Sequence, residues 1–342
     1  MRGLIIIACA ATATALPLLF NESSICSTGL CEKPDPPLKY ERVMASQPGY
    51  QWDDAGGYCG SWASQRVTLS RGAWISQQQF RDHTSPCGGN DNELLSCNIA
   101  EAWTNLKLDF EGFDFAGTPL PQTQAYFKWL KAHLASGNAV AWMIMWSGQS
   151  YPIYNLKPPA GMYGHVEPVI GVQSNHPLND TEVYDDDVVL HFTDGGTNTV
   201  HRPITSLPCT WAGMNHKANC GEYSYGIGGT YGFGWAIKGF APDSRQADAM
   251  PASLAINPWK SEPDTRSKEK PEALKGTLTV TGLTAGAKYD IYRWDEVAPA
   301  FADYSPQYKR TSFTASDDSF VYEDDKSFQS DGTTYYRAVK AE

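Results

Sequence analysis

Two textures follow one another along this chain, and the switch between them near residue 139 limits the folds open to it. Upstream, apolar residues recur at helical spacing. Residues 59–70 read as a helix stopped by Gly72, and Ser76 followed three residues later by Gln79 is a capping-box pattern that opens a short helix. Residues 90–93 open a third helix, in which Leu94, Leu95, Ile99, Ala102, Trp103 and Leu106 fall at 3.6-type spacing. Residues 121–136 give a fourth, with Tyr126, Phe127, Leu130 and Leu134 apolar and Gly137 past its end. Downstream, residues 139–146 form an apolar run of strand length. Residues 165–172 and 187–193 follow as strands, and the Gly- and aromatic-rich stretch 223–240 reads as a twisted hairpin. Helices first and strands second is the α+β arrangement.

Composition narrows the setting. The chain has 342 residues, 42% of them hydrophobic and 19% charged, as in a globular protein. A net charge of -11 and the absence of any Lys/Arg run argue against nucleic acid as a partner. Arg2, the apolar stretch 4–19 and the small residues Ala13-Thr14-Ala15 read as a signal peptide over 1–20. A retained anchor is the competing reading, but Thr12, Thr14 and Pro17 interrupt a stretch already short for spanning, and no membrane span is expected once the leader is removed. A secreted chain, or one in the endomembrane lumen, follows.

Cysteine usage agrees. Of eight cysteines, Cys9 lies in the leader. Proximity suggests Cys26 with Cys31, Cys87 with Cys97 and Cys209 with Cys220, although spacing does not settle connectivity. Cys59 is left over, and an odd thiol in a secreted chain is either an intermolecular crosslink or a reactive group. Asn21-Glu22-Ser23 and Asn179-Asp180-Thr181 are glycosylation sequons.

The leftover thiol stands where chemistry is plausible. Asp53-Asp54-Ala55-Gly56-Gly57-Tyr58 leads into Cys59-Gly60-Ser61-Trp62, so a Gly-rich turn delivers the thiol to a helix start. Unpaired N–H groups and the helix dipole stabilise a thiolate there. The stretch resembles the papain-type cysteine peptidases, whose nucleophile sits in a Cys-Gly-Ser-Cys-Trp context. Here the second Cys is absent and Cys59-Gly60-Ser61-Trp62 runs straight through. With residues 54–60 it looks closer still to the peptidase C39-like branch. The plainer alternative is a buried structural Cys. The resemblance implies a helical half and a β half meeting at a cleft, with functional residues in the order Cys, His, Asp or Asn.

Among the histidines, His165 opens an apolar strand in Gly164-His165-Val166-Glu167-Pro168-Val169-Ile170-Gly171 and looks like the histidine strand of that superfamily. A strand-edge surface His is the alternative, and His191 is held in reserve. Asp194, at the end of strand 188–193, is the candidate that orients the imidazole; a turn Asp before Gly195-Gly196 is the alternative. The papain pattern places an oxyanion-stabilising Gln shortly before the nucleophile, where this chain has Asp53. A carboxylate cannot donate unless protonated, so either Gln51 serves through a longer loop, or the Cys59 N–H acts with another donor. Pro208-Cys209 lacks the second Cys of a zinc motif, residues 226–229 lack a βαβ context, and Asp185, Asp186 and Asp187 lack EF-hand spacing, so neither metal nor cofactor is expected.

Residues 21–50 are Pro-containing and irregular, expected as an extended arm before a catalytic unit over 51–245. Residues 246–274, with Pro251, Pro258, Pro263 and Pro271, read as a linker. Beyond it, 276–281 and 287–293 alternate with period 2 around a turn, and 311–314, 319–322 and 334–339 add strands. Residues 275–342 thus resemble a small fibronectin-III- or Ig-like β-sandwich, expected as an accessory unit for stability or for surface, carbohydrate or protein contact. The expected whole is a secreted thiol hydrolase, a cysteine peptidase acting on peptide or protein substrates. Two alternatives stand: a papain-like binding or surface protein with catalysis lost, or a thiol acyltransferase or amidase.

Overall fold

Every residue from Gly60 to Leu69 is buried, so the first long helix, α1 (Cys59–Leu69), is an interior element rather than an amphipathic surface one. A computed structural model describes residues 36–52, 57–87, 92–119, 122–147, 162–193, 199–204, 209–210, 226–227, 234–257, 273–297 and 304–341, with 145–147, 162–164, 209–210 and 226–227 as backbone. The leader, Asn21, Cys26, Cys31, Asp53, Asp194 and Cys220 lie outside the described residues, as does the side chain of Cys209.

The architecture is α+β. Strand β1 (Tyr40–Val43) precedes α1; β2 (Ala73–Ile75) and the helices α2 (Gln77–Asp82) and α3 (Ile99–Asn105) follow it. Next come β3 (Leu108–Gly112), α4 (Thr123–Ala135), β4 (Val140–Ser147), β5 (Met162–Ser174), β6 (Val188–Phe192) and β7 (Thr199–Pro203). The two-residue strands β8 (Cys209–Thr210) and β9 (Gly226–Ile227) lead to β10 (Gly234–Phe240). These build one sheet in the order β3-β10-β4-β5-β6-β7, with β1 on β5, β9 on β4 and β8 on β9.

Several local expectations change. The stretch expected as an irregular arm contributes β1, whose residues pair antiparallel with 171–174 of β5. The helix expected from residue 90 starts at Ile99, because the Asn98 side chain holds a turn before it. Its Oδ1 accepts from the Leu95 N–H (2.7 Å), and its amide donates to Glu93 and Ser85 carbonyls (2.9 and 3.1 Å). Ser76 does cap α2, its Oγ accepting from the Gln79 N–H, but the Ser76 N–H donates to Gly332 near the C-terminus and not to Gln79. Strands β9 and β10 do not form a hairpin with each other; both pair with β4, at different ends.

The C-terminal strands are β11 (Ala249–Met250), β12 (Ala252–Asn257), β13 (Ala273–Thr281), β14 (Lys288–Trp294), β15 (Lys309–Thr314), β16 (Ser319–Glu323), β17 (Phe328–Gln329) and β18 (Thr333–Lys340). Two of them, β11 and β12, arise within 246–274, the stretch expected to be a linker. In β12 the inward Leu254 and Ile256 alternate with exposed residues, and the strand pairs along its length with β13. One sheet runs β11-β18-β14-β15, and the second runs β12-β13-β16 with β17 on β13. The first sheet takes in a strand from the other end of the chain: β2, directly after α1, pairs antiparallel with β18 (Thr333 opposite Ile75, Tyr335 opposite Ala73).

That insertion makes the β11-β18-β14-β15 sheet a middle layer. Strand pleat sends alternate side chains to opposite faces, and the cores divide accordingly. Ala73, Ile75, Tyr292, Trp294, Tyr335 and Val339 join the cluster built around Trp62, Trp103, Tyr126 and Trp142. Trp74, Ile291, Tyr336 and Ala338 join the cluster with Leu254, Leu278 and Phe328. Trp74 is fully buried, its indole N–H donating to Ser330 (3.1 Å) and its ring lying 6.3 Å from Phe328 and 5.6 Å from the Arg66 guanidinium. Trp74→Ala should therefore cost about 3–5 kcal/mol. Urea unfolding should show the two halves destabilised together in one transition; a variant that melts only its C-terminal strands would contradict the shared core.

Candidate active site

Cys59 is the first residue of α1, half-buried, and its sulfur is not part of a disulfide. The helix is preceded by Tyr58, whose side chain makes no capping bond to the first turn, and the dipole-positive end of the helix lies at Cys59. Two glycines shape this end. Gly57 has φ +67, a left-handed conformation that suits Gly, and a Cβ there would stand 2.4 Å from the Glu93 carboxyl carbon. A Cβ on Gly60 would stand 2.3 Å from the Leu94 carbonyl oxygen, a backbone atom. The loop 93–94 is pressed onto the helix start, and Cys87–Cys97, bonded with Cα atoms 6.1 Å apart, closes that loop.

A second segment is clamped along the same helix. Trp62 Nε1 donates to Gly49 (3.2 Å), Arg66 Nη1 donates to Pro48 (3.3 Å), and Ser46 Oγ donates to the Arg66 carbonyl (2.6 Å). Buried Gln77 then spans Gln51. Its Nε2 donates to the Tyr50 carbonyl (2.8 Å) and its Oε1 accepts from the Trp52 N–H (3.0 Å). Gln51 is thereby fixed on the segment beside α1, while Asp53 falls outside the described residues.

The helix packs against β5, the strand that carries His165. Trp62, one turn after Cys59 and so on the same side of α1, stacks on the His165 imidazole with centroids 6.2 Å apart and planes 22° apart. His165 is the fourth residue of β5, not its first, and is 5% exposed. The structure therefore brings the first turns of the Cys59 helix to His165. Asp194 lies outside the described residues.

What sequence reasoning passed over lies beside His165. Glu167, two residues along β5, shares its face, and His191 on β6 stands directly opposite Val169 of that face. Glu167 Oε2 and His191 Nδ1 are 2.8 Å apart, both side chains fully buried. On the other side of the ring, Arg202 of β7 donates from Nε to His191 Nε2 (3.2 Å). Arg has donors and no acceptor, so His191 Nε2 must accept. The other ring nitrogen, Nδ1, is the one that faces Glu167. The signal in the sequence was two polar residues at alternate positions, His165 and Glu167, in the otherwise apolar run 165–172. The reserve histidine, His191, falls into this cluster; Trp142 packs on it at 5.6 Å as part of the core.

Burial pushes the His165 pKa down from 6.5 to about 4, against the raising effect of Glu167 and with a smaller lowering effect of His191. Burial also works against the Glu167 charge, but His191, its hydrogen bond, His165 and Arg202 outweigh it and hold that carboxyl below its ordinary value. Among the described residues no group of three or more His, Cys, Asp or Glu side chains could hold a metal ion, and no helix is long and apolar enough to cross a membrane. Asn179 lies in an exposed turn.

No protein-family model matches the chain, and no curated protein does. Two solved structures are similar at low level. One is the Clostridial cysteine protease Cwp84 after propeptide cleavage, 12% identical over 87% of this chain and 81% of that one, with a TM-score of 0.29. The other holds the cysteine protease and lectin-like domains of Cwp84, a surface layer associated protein of Clostridium difficile, 11% identical over 87% of this chain and 73% of that one, with a TM-score of 0.25. Likeness of this size transfers neither residues nor activity.

Two outcomes are expected of this geometry. In an ordinary helix Gly→Ala stabilises by about 1 kcal/mol. Here Gly60→Ala should destabilise, since the new methyl meets the Leu94 backbone; a rise in melting temperature would refute that contact. For His165 the unfolded state takes up the proton first as pH falls, so stability is lost between pH 6.5 and about 4. The loss is about 3 kcal/mol at about 1.4 kcal/mol per pH unit. Urea titrations of His165→Gln across this range should show a total loss smaller by that amount.

Proposed function

We propose that this protein is a thiol hydrolase of the cysteine-peptidase type, secreted after removal of a leader over 1–20. The observation that carries the reading is the Cys59 thiol, outside any disulfide and at the first position of α1, with that helix packed through Trp62 onto the buried His165. The bonded Cys87–Cys97 pair supports an oxidising compartment.

In the proposed reaction the Cys59 proton passes to a His165 ring nitrogen and the sulfur attacks an amide carbonyl carbon. The C–N bond breaks, His165 returns the proton to the departing amine, and a thioester remains on Cys59. Water then attacks the thioester with His165 taking its proton; the C–S bond breaks, and the acid and the free thiol are released. Backbone N–H groups of the helix start and the amide of Gln51 are the candidate donors to the tetrahedral oxyanion. Asp194 remains a candidate for orienting His165. An amine in place of water gives acyl transfer through the same first half-reaction.

The test is turnover of a broad peptide library by the full chain, with Cys59→Ala and His165→Ala alongside. Each variant should lose about three orders of magnitude or more in kcat/KM, and iodoacetamide should modify Cys59 faster than an ordinary thiol below pH 7. An intact library, or turnover that persists in Cys59→Ala, removes the hydrolase reading. Adding amine acceptors separates hydrolysis from transfer by the products formed.

A further inference from the structure

Four ionisable side chains meet in the interior beside the candidate site: His165, Glu167, His191 and Arg202, none more than 5% exposed. Such a cluster is costly. Buried ion pairs can often be replaced by apolar residues with no loss of stability, so packing gives little reason to retain one here. The arrangement is also directional. Arg202 fixes one nitrogen of His191, His191 turns its other nitrogen to Glu167, and Glu167 stands on the same face of β5 as His165. Two residues along a strand span about 7 Å, too far for a hydrogen bond and close enough for a field in a dry interior.

We propose that Glu167, held in place by His191 and Arg202, is a positioning residue whose fixed negative charge stabilises the His165 imidazolium formed when Cys59 gives up its proton. The inference rests on the thiol-hydrolase reading of Cys59 and His165. No net charge is created in the step: one proton moves from Sγ to the imidazole, leaving a thiolate and an imidazolium. Glu167 and Arg202 keep their charges throughout. Glu167 from its own strand and His191 from β6 act on His165, Arg202 of β7 acts on Glu167, and the helix that begins at Cys59 packs against β5. The β4 neighbours of this face, Ile144 opposite His165 and Trp142 opposite Glu167, are not ionisable. Glu167 retains its charge in this setting because three nitrogen-bearing groups surround it.

The experiment follows Cys59 alkylation by iodoacetamide in the full chain, mapped by mass spectrometry, from pH 4 to 9 in wild type, Glu167→Gln, Glu167→Asp and His165→Gln. Gln keeps size and polarity but removes the charge; Asp keeps the charge on a shorter arm. Expected is a fall of roughly tenfold or more in the near-neutral rate of Glu167→Gln, with its inflection displaced. Glu167→Asp should recover most of the lost rate. A folded Glu167→Gln protein with the wild-type profile overturns the proposal, whereas a merely structural role would alter melting temperature and leave the profile alone. Should Glu167→Gln fail to fold, carbon-13 NMR of the wild-type carboxyls decides. Glu167 is expected to be ionised from pH 5 upward, and a Glu167 carboxyl still protonated at pH 7 overturns the proposal. If Cys59 is inert in wild type, the site reading falls and this inference with it. If Cys59 reactivity depends on His165 but not on Glu167, only this inference falls.

Discussion

The structure turns on a polar helix buried on every side. Helix α1 carries Ser61, Ser64, Gln65, Arg66 and Thr68 into the interior, where an unpaired polar group would cost about 1–3 kcal/mol. Most of the visible geometry around it supplies partners. Trp103 Nε1 donates to Ser64 Oγ (3.0 Å); Gln65 Oε1 accepts from Arg66 Nη2 (2.7 Å) and from Gln77 Nε2 (3.3 Å); Thr68 Oγ1 donates to the Gln65 carbonyl (2.8 Å). Arg66 also reaches Pro48 and lies over the Trp74 ring. These bonds bind the helix to α3, to the segment 46–52 and to β2 together, so the position of Cys59 is fixed by contacts spread along the whole of α1.

From that helix the chain passes within a few residues into a second core. Gly72, at φ +82, turns the chain, and its carbonyl accepts from the Tyr336 N–H (2.9 Å). Ala73, Trp74 and Ile75 then divide between the two clusters by the pleat of a single three-residue strand. A C-terminal β unit joined in this way is bound to the nucleophile helix by backbone hydrogen bonds and by a shared apolar layer. Its contribution to holding the helix does not depend on any ligand of its own. The physical cost is topological: β2 and β18 are far apart in sequence, and loop-closure entropy must be met before their pairing contributes.

The α+β order was legible because periodicity is a local property: α1, α4, β4 and β6 each stand within a residue or two of where their apolar spacing puts them. The turn glycines Gly282 and Gly286, both at positive φ, likewise mark the connection between β13 and β14 that composition suggests. What escaped was non-local. Nothing near Ala73-Trp74-Ile75 announces a strand whose partner lies at residues 333–335. The prolines flanking β12 hid its Leu254 and Ile256 alternation. Cys59 and His165 were legible as residue types in chain order, and their elements do pack together. The pairing of Glu167 with His191 needs the register of two strands, set by a bulge between Val169 and Gly171, and residue types alone do not contain that register.

Magnitudes decide how ionisation at the site has to proceed. With Glu167 already acting, His165 still titrates near 4, so burial leaves the lone imidazolium about 3 kcal/mol short of its stability in water at its usual pKa. A helix start favours an adjacent anion by about 0.3–1 kcal/mol, up to about 2 in partly buried geometry. That alone does not cover the deficit. A thiolate and an imidazolium in contact at about 4 Å attract by about 4 kcal/mol at an effective dielectric of 20, which does. Neither charge is therefore favourable without the other, and the proton transfer creates both at once. The fixed charges of the helix end and of Glu167 contribute most at the moment the pair ionises, and it is to that moment that the buried carboxylate is suited.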